Sequence, residues 1–249
     1  MKMLVKLKNF VTGFLLLHCL WYLGHLFVDA RLIPSPITVY SVMDVAFWQQ
    51  MFLPIVHSLW RIVLSMAISV AIGLGGGLLL AQSKIVGNIL NPFIYFVYPI
   101  PKMAFLPVVF ISFGLGNTSI VTMIVLIIVF QIIINVRDGI NNIPEENYQT
   151  LLVLGANRLQ LFVNVTLPAA LHQILSSTRV ALGTATAILF ITEDSGNIYG
   201  VGRFIFNAHS RIDFVQVYAG IVVLSMMAFA LFSAIDITQR IFMKWHKFE

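Results

Sequence analysis

From Ile62 to Ser83 the chain carries no Asp, Glu, Lys or Arg, and from Met103 to Val136 it again carries none. Uncharged apolar runs of this length constrain the fold more than any other feature. About 20 such residues cross the roughly 30 Å hydrocarbon layer as one helix. A membrane β-barrel would instead show alternating segments of about ten residues. These runs are continuous, so helices are expected. Of 249 residues, 59% are hydrophobic and 10% charged, whereas soluble domains carry about 25% charged residues. So few charges cannot cover a surface in water, and the sequence reads as an all-α integral membrane protein in contact with lipid. The formal charge of +5 does not point to nucleic acid. Its cations sit at the ends of apolar runs, where they orient a membrane protein. The single cysteine, Cys19, excludes an intrachain disulfide framework and a cysteine-rich metal site.

One transmembrane domain over 1–249 is expected, with six spans at about 10–28, 54–82, 88–113, 117–136, 173–192 and 214–238. Lys2, Lys6 and Lys8 precede the first apolar stretch. No small-x-small cleavage site follows before Pro34, so this stretch reads as a retained span and not a signal peptide. The third span holds Pro92, Pro99, Pro101 and Pro107 and must bend or break. Broken backbone at membrane depth survives only inside protein or along a wet cavity. With the N-terminus inside, the inner segments hold Lys2, Lys6, Lys8, Lys84, Arg137, Arg158, Arg179, Arg240, Lys244 and Lys247, and the outer ones Arg31, Arg203 and Arg211. This bias places both termini in the cytoplasm of a multi-pass protein of a bacterial-type inner membrane.

The longest polar interruption, about 137–172, then faces the cytoplasm. Pro144 suits a first helical position, with Glu145 and Glu146 in the first turn against the positive end of the macrodipole. Leu151, Leu152 and Leu154 give an apolar side, and Gly155 suits a left-handed stop. Asn157 can cap a second short helix from Arg158 to about Val165, after which Pro168 breaks the pattern. Two readings of this helix–turn–helix stand. It packs on its own protein, or it docks a partner whose rigid-body motion it passes to the spans.

The stretch from Gln149 to Pro168 resembles the cytoplasmic "EAA" loop of ABC importer permeases. That pattern is Glu-Ala-Ala, three residues, Gly, nine residues, Ile, one residue, Leu-Pro. Here Gly155 is followed after nine residues by Val165, Thr166, Leu167 and Pro168, while Gln149, Thr150 and Leu151 replace Glu-Ala-Ala. Further stretches resemble the nitrate/sulfonate/taurine branch in order: "LIPSP" at 32–36, "PKMAFLPVVFISFGLGNTS" at 101–119, "ITEDSGNIYGVGRFI" at 191–205 and "AIDITQRIFMKW" near the end. The resemblance implies a type I importer permease fold. It implies a homodimer or a paired permease, two cytoplasmic ATPase subunits that bind ATP and magnesium, and an extracytoplasmic solute-binding protein. It also implies a coupling loop built on Glu146, Gln149, Leu152, Gly155, Ala156, Arg158, Leu161, Leu167 and Pro168. Implied solutes are small and polar, often anionic: nitrate, sulfonates, taurine. Relatives also move pyrimidine-type vitamin precursors and riboflavin.

The residues agree that the chain is no ATPase: it has no G-x-x-x-x-G-K-[ST] and no Gly-Lys pair. The glycines of "GLGGG" lie within a span, where Gly73 and Gly77 suit close helix packing. No nucleophile–base–acid spacing supports a membrane enzyme. A self-contained secondary transporter would need more intramembrane ionisable groups than this chain has. Polar residues at depth each carry two readings. Lys102 draws an anion along the path or snorkels to a surface. Gln131 and Asn135 share a helix face and line the path or bond a neighbouring helix. Thr184, with Thr186 and Thr192, lines the path or bonds within its own helix. Glu193 belongs to a gate or ends its helix at the interface. Outside, Arg203, Arg211 and Asp213 meet the binding protein or are solvated. His18 and His25, with Trp21 between them, suit interfacial packing.

Overall fold

The computed structural model describes residues 2–194 and 199–242. Gly196, Lys244, Trp245 and Lys247 lie outside them, as does the side chain of His172. Eleven α-helices are found among the described residues. The first is α1 (Lys2–Phe27), followed by the short helix α2 (Pro36–Ser41), on the outer side in the orientation expected from the charge bias. Helix α3 (Val45–Gln82) begins nine residues before the expected span at 54 and carries Pro54 inside it. Its 38 residues reach about 57 Å at 1.5 Å each, well beyond the hydrocarbon layer.

The expected bend in the third span is a break. Helix α4 (Lys84–Val97) ends, and a 3-10 turn (Lys102–Phe105) leads into α5 (Leu106–Phe113) at an angle of 80°. Pro101 cannot supply the N–H that Val97 O would take in a continued helix. Lys102 supplies a donor instead: its Nζ gives hydrogen bonds to Val97 O at 3.2 Å and Tyr98 O at 3.0 Å. The ammonium lies over the rings of Tyr98 and Phe130, 5.4 and 5.1 Å from their centroids.

Helix α6 (Asn117–Asn141) buries Ile120, Ile124, Ile128, Ile132, Val136 and Ile140, one residue every four. This is the ridge that packs into the groove of a neighbouring helix. The groove is on α3. A Cβ on Gly73 would stand 2.7 Å from Ile132 Cβ, and one on Gly77 would stand 2.6 Å from Val136 Cβ. Both glycines therefore let the backbones approach, as expected for small residues in membrane helices. Helix α9 (Leu167–Glu193) completes the core through Ala181, Leu182, Ala185 and Leu189.

A second apolar cluster lies at the outer end. It joins Val39 of α2, Phe47 and Met51 of α3, Val201, Phe204, Ile205 and Ala208 of α10 (Val201–Ser210), and Val217 and Val223 of α11 (Phe214–Phe242). Helix α1 rests on this end by a few polar ties. His25 Nδ1 meets Ile33 O at 2.7 Å, Trp21 Nε1 donates to Pro34 O at 3.1 Å, and Trp21 stacks on Tyr218. His18 Nδ1 faces a carbonyl, Phe14 O, and so carries the proton; Nε2 accepts from the Tyr40 hydroxyl at 2.6 Å. His18, Trp21 and His25 are thus packing residues.

Candidate functional site

Two sites stand at opposite ends of one helix. The inner one is the polar interruption. Helix α7 runs Glu145–Val153, with Pro144 one position before it as its cap, not within it. Glu145 and Glu146 occupy its first turn. The helix ends where the sequence demands it. Gly155 has φ +79°, its N–H donates to Leu152 O at 2.9 Å, and Ala156 N–H donates to Leu151 O at 3.0 Å. This pair of bonds satisfies the last carbonyls, and only glycine adopts the left-handed angle at no steric cost. Two residues on, Asn157 starts α8 (Arg158–Leu161) with a reciprocal capping box: Gln160 N–H donates to Asn157 Oδ1 at 2.9 Å, and Asn157 N–H to Gln160 Oε1 at 2.8 Å. Both short helices are therefore ordered by their own ends.

Pro168 does not break the pattern. A π turn (Phe162–Thr166) follows α8, and Pro168 sits in the first turn of α9. In a regular helix its ring would press on the carbonyl four residues back. The wider π turn just before it makes room. The result is one helical run, Arg158–Glu193, of 36 residues, about 54 Å long.

The tip so formed is exposed and apolar. Val153 is 88% exposed, Leu154 77%, Leu159 70% and Leu152 53%. Glu146, Gln149, Gly155 and Arg158 are exposed beside them, while Ala156, Leu161, Leu167 and Pro168 are half-buried. Leu154 was expected on the apolar side of this helix; Val153 and Leu159 were not. Their leucine-rich stretch has no clean helical period, and only the Gly155 turn brings the two helices' apolar residues together. The Tyr148 hydroxyl reaches Thr166 Oγ1 at 3.1 Å, tying α7 to the π turn.

The outer site is buried and polar. Glu193, the last residue of α9, is fully buried. It does not end its helix at an exposed interface. Arg61 of α3, 2% exposed, donates to Glu193 Oε1 at 2.6 Å. The Arg61 guanidinium also donates to Asn117 Oδ1 at the start of α6 and to Tyr199 O in the outer loop, both at 2.8 Å. Ser58 Oγ donates to the same carboxylate and accepts from Val201 N–H at 2.9 Å; Gly202 N–H donates to Glu193 Oε2 at 2.8 Å. The carboxylate thus sits at the N-terminus of α10, where free N–H groups and the macrodipole favour negative charge. The spacing of Gly200 and Gly202 follows from this seat. A Cβ on Gly200 would stand 2.5 Å from the Glu193 carboxyl carbon, and one on Gly202 would stand 2.7 Å from Phe190 O.

Sequence reading paired neither Arg61 nor Ser58 and Asn117 with Glu193. The available signal was a lone arginine in a long apolar helix, which calls for a buried partner. Among the remaining expected residues, Arg203 donates to Asp194 O at 2.6 Å and is half-buried. Arg211 is exposed, and Asp213 caps α11 by accepting from Gln216 N–H at 3.1 Å. Gln131, Asn135 and Thr184 are half-buried. Thr186 and Thr192 bond carbonyls of their own helix.

A family model described as "binding-protein-dependent transport system inner membrane component" matches residues 67–246. The taurine transport system permease protein TauC of Escherichia coli is 32% identical over 82% of this chain and 73% of its own length. A putative aliphatic sulfonates transport permease protein, SsuC of Bacillus subtilis, is 28% identical over 88% of this chain and 79% of its own. The formylaminopyrimidine transport permease protein ThiX of Halalkalibacterium halodurans is 26% identical over 94% of each chain. In three dimensions the chain matches an inward-facing structure of the MetNI methionine ABC transporter, with a TM-score of 0.57 at 16% identity, over 78% of this chain and 99% of that one. That likeness is one of fold. Long buried helices, a capped tip and a matching sequence over most of its length together make this chain a member of the family of inner-membrane components of binding-protein-dependent transport systems.

Proposed function

We propose that this permease carries a small polar, often anionic solute inward by alternating access, driven by ATPase subunits that dock on α7 and α8. The chain itself is a transport subunit of an ABC importer and not an enzyme; hydrolysis belongs to a separate chain. Permeases of this family work with an ATPase and a solute-binding protein. ATP and magnesium are then bound by the ATPase. We assign two ATPases to a pair of permeases, both termini to the cytoplasm, and the binding protein to the opposite face.

The observation that carries this reading is the tip. Its four apolar side chains, 53–88% exposed, are held on two capped helices, of which α8 runs on into α9. An unpartnered apolar surface on an ordered element fits a partner groove. Glu146, Gln149 and Arg158 would give that contact its polar rim. Gln131, Asn135 and Thr184, half-buried at membrane depth, fit a solute path, with Lys102 at the break in the third span. Arg203, Arg211 and Asp213 fit the outer contact with the binding protein, whose orientation they would set by charge. The sulfonate and taurine relatives favour an anion. A pyrimidine-type vitamin precursor is the second reading, favoured by the relative that matches 94% of the chain.

Purification of the tagged chain from its own membrane in mild detergent tests the assignment. An ATPase should accompany it in about equal amount. Recovery of the chain alone under gentle extraction would favour a self-contained transporter.

A further inference from the structure

We propose that Glu193 and Arg61 are positioning residues that make outer helix α10 move as one body with the cytoplasmic tip, so that the docking motion reaches the surface offered to the solute-binding protein. The proposal rests on the importer reading above. One helical run, Arg158–Glu193, joins the two ends. At its inner end Tyr148 ties the tip to Thr166 of the run, and the close approach of Gly139 to Gln173 seats the run against α6. At its outer end the run stops at Glu193, and the carboxylate holds the start of α10 directly, through Gly202 N–H, and through Ser58 to Val201 N–H.

Those two amides belong to the first turn of α10, whose donors no helix can satisfy by itself. Their partners are on α9 and α3, so α10 takes its orientation from the core. Apolar contacts alone would allow it to slide. Directional bonds to a charged acceptor fix rotation as well as distance. The opposite side of α10 shows what is being aimed. Val201, Phe204, Ile205 and Ala208 face inward, while Asn207, His209, Ser210 and Arg211 are exposed. That outward face is polar and carries Arg211 beside Asp213, charges that a soluble partner could meet with its own. A buried ion pair is weak evidence for stability, since apolar residues of the same size often serve as well. A positional role explains why one stands here.

The test uses the complex of this chain with its ATPase and binding protein, reconstituted in lipid. Three quantities are read: ATPase retained, hydrolysis rate without binding protein, and the increment when the purified binding protein is added. Glu193→Gln is expected to retain the ATPase, to keep the rate without binding protein within about twofold, and to lose at least about tenfold of the increment. Glu193→Asp, which keeps the charge, should recover part of it. A full increment in an assembled Glu193→Gln complex overturns the proposal. If Glu193→Gln does not accumulate, Ser58→Ala keeps the ion pair while releasing Val201; its increment should fall by about two- to fivefold, and an unchanged one overturns the proposal. An unaltered complex without an ATPase would remove the importer reading itself. One with an ATPase but no increment would overturn this coupling role alone.

Discussion

A series at Gly155 separates the shape of the docking turn from what docks on it. At φ +79° any other L-residue meets its own carbonyl, at a cost of about 1–2 kcal/mol. Part of this, about 0.4–1 kcal/mol, is offset because the unfolded chain loses freedom when glycine is replaced. Nothing lies within 4 Å of a Cβ at this position, so no clash within the chain adds to the sum. Gly155→Ala should therefore destabilise by about 0.5–1.5 kcal/mol. Gly155→Asn should cost less, because asparagine tolerates the left-handed region. Gly155→Arg shares the backbone cost of alanine but adds a long cation to the turn that joins the exposed Leu154 to the helix bearing exposed Leu159. Melting of the detergent-solubilised chain should thus rank Asn above Ala, with Ala and Arg alike. Co-purification of the ATPase should divide them differently: Asn and Ala retain it, and Arg keeps less than about a tenth, a penalty of 1.4 kcal/mol or more. If Gly155→Arg holds the ATPase as Gly155→Ala does, the turn is not a docking surface. If Gly155→Arg melts far below Gly155→Ala, the loss reports folding and the docking assignment fails with it.

Other outcomes follow from the packing. Gly73→Ala should lower stability to detergent unfolding by about 1–3 kcal/mol through overpacking, its Cβ being 2.7 Å from Ile132 Cβ. Gly75→Ala, with nothing within 4 Å, should raise it by up to about 1 kcal/mol; effects of the same sign would contradict the close approach of α3 and α6. Arg61→Met should cost about 3–5 kcal/mol by leaving Glu193 buried without its cation. The double variant Arg61→Met/Glu193→Gln should cost less than the two single changes together by about 0.5–3 kcal/mol, and strict additivity in SDS titration would show that the pair is not coupled. Ile212 holds φ 59° at an exposed outer turn. Ile212→Gly relieves about 1–2 kcal/mol of strain but loses about 0.4–1 kcal/mol to the freer unfolded chain, so the melting temperature should rise slightly; a clear fall would mean that the isoleucine side chain has a stabilising contact.

The fold was legible where one residue type has one physical use. Charge-free runs gave the long helices. Pro99 and Pro101 gave the break after α4, while Pro92 is carried inside α4 and Pro107 sits in the first turn of α5. The pair Gly155 and Asn157 gave the stop and restart of the docking loop, down to the capping bonds. Reading failed where two distant segments decide the matter together. Pro168 looked like a terminator because the π turn before it has no signature in sequence. Lys102 looked like a free charge because the carbonyls it serves, on Val97 and Tyr98, are orphaned only once α4 has ended. Of the two readings of Glu193, the interfacial helix end failed because its partner Arg61 lies more than a hundred positions away. Ser58, Arg61 and Asn117 come from separate segments, and nothing local shows that they converge.

The two ends of the Arg158–Glu193 helix differ in a way that follows from their tasks. The inner end presents apolar side chains to water and fixes its backbone by local caps. Such a surface can be covered and uncovered by a partner without any internal bond being broken. The outer end does the reverse: it buries its charge and draws bonds from α3, α10 and the loop at Tyr199. A joint of that kind resists being pulled apart, since separating the pair leaves a bare charge in a low-dielectric interior. A replaceable contact at one end and a firm one at the other is what a lever requires. In the proposed mechanism it would grip a moving ATPase at one end and carry α10 with it at the other. Were the arrangement merely stabilising, the buried pair would serve as well on any two helices of the core. It lies instead where α9 ends and α10 begins, a place where a change in the angle of α9 would be handed to α10.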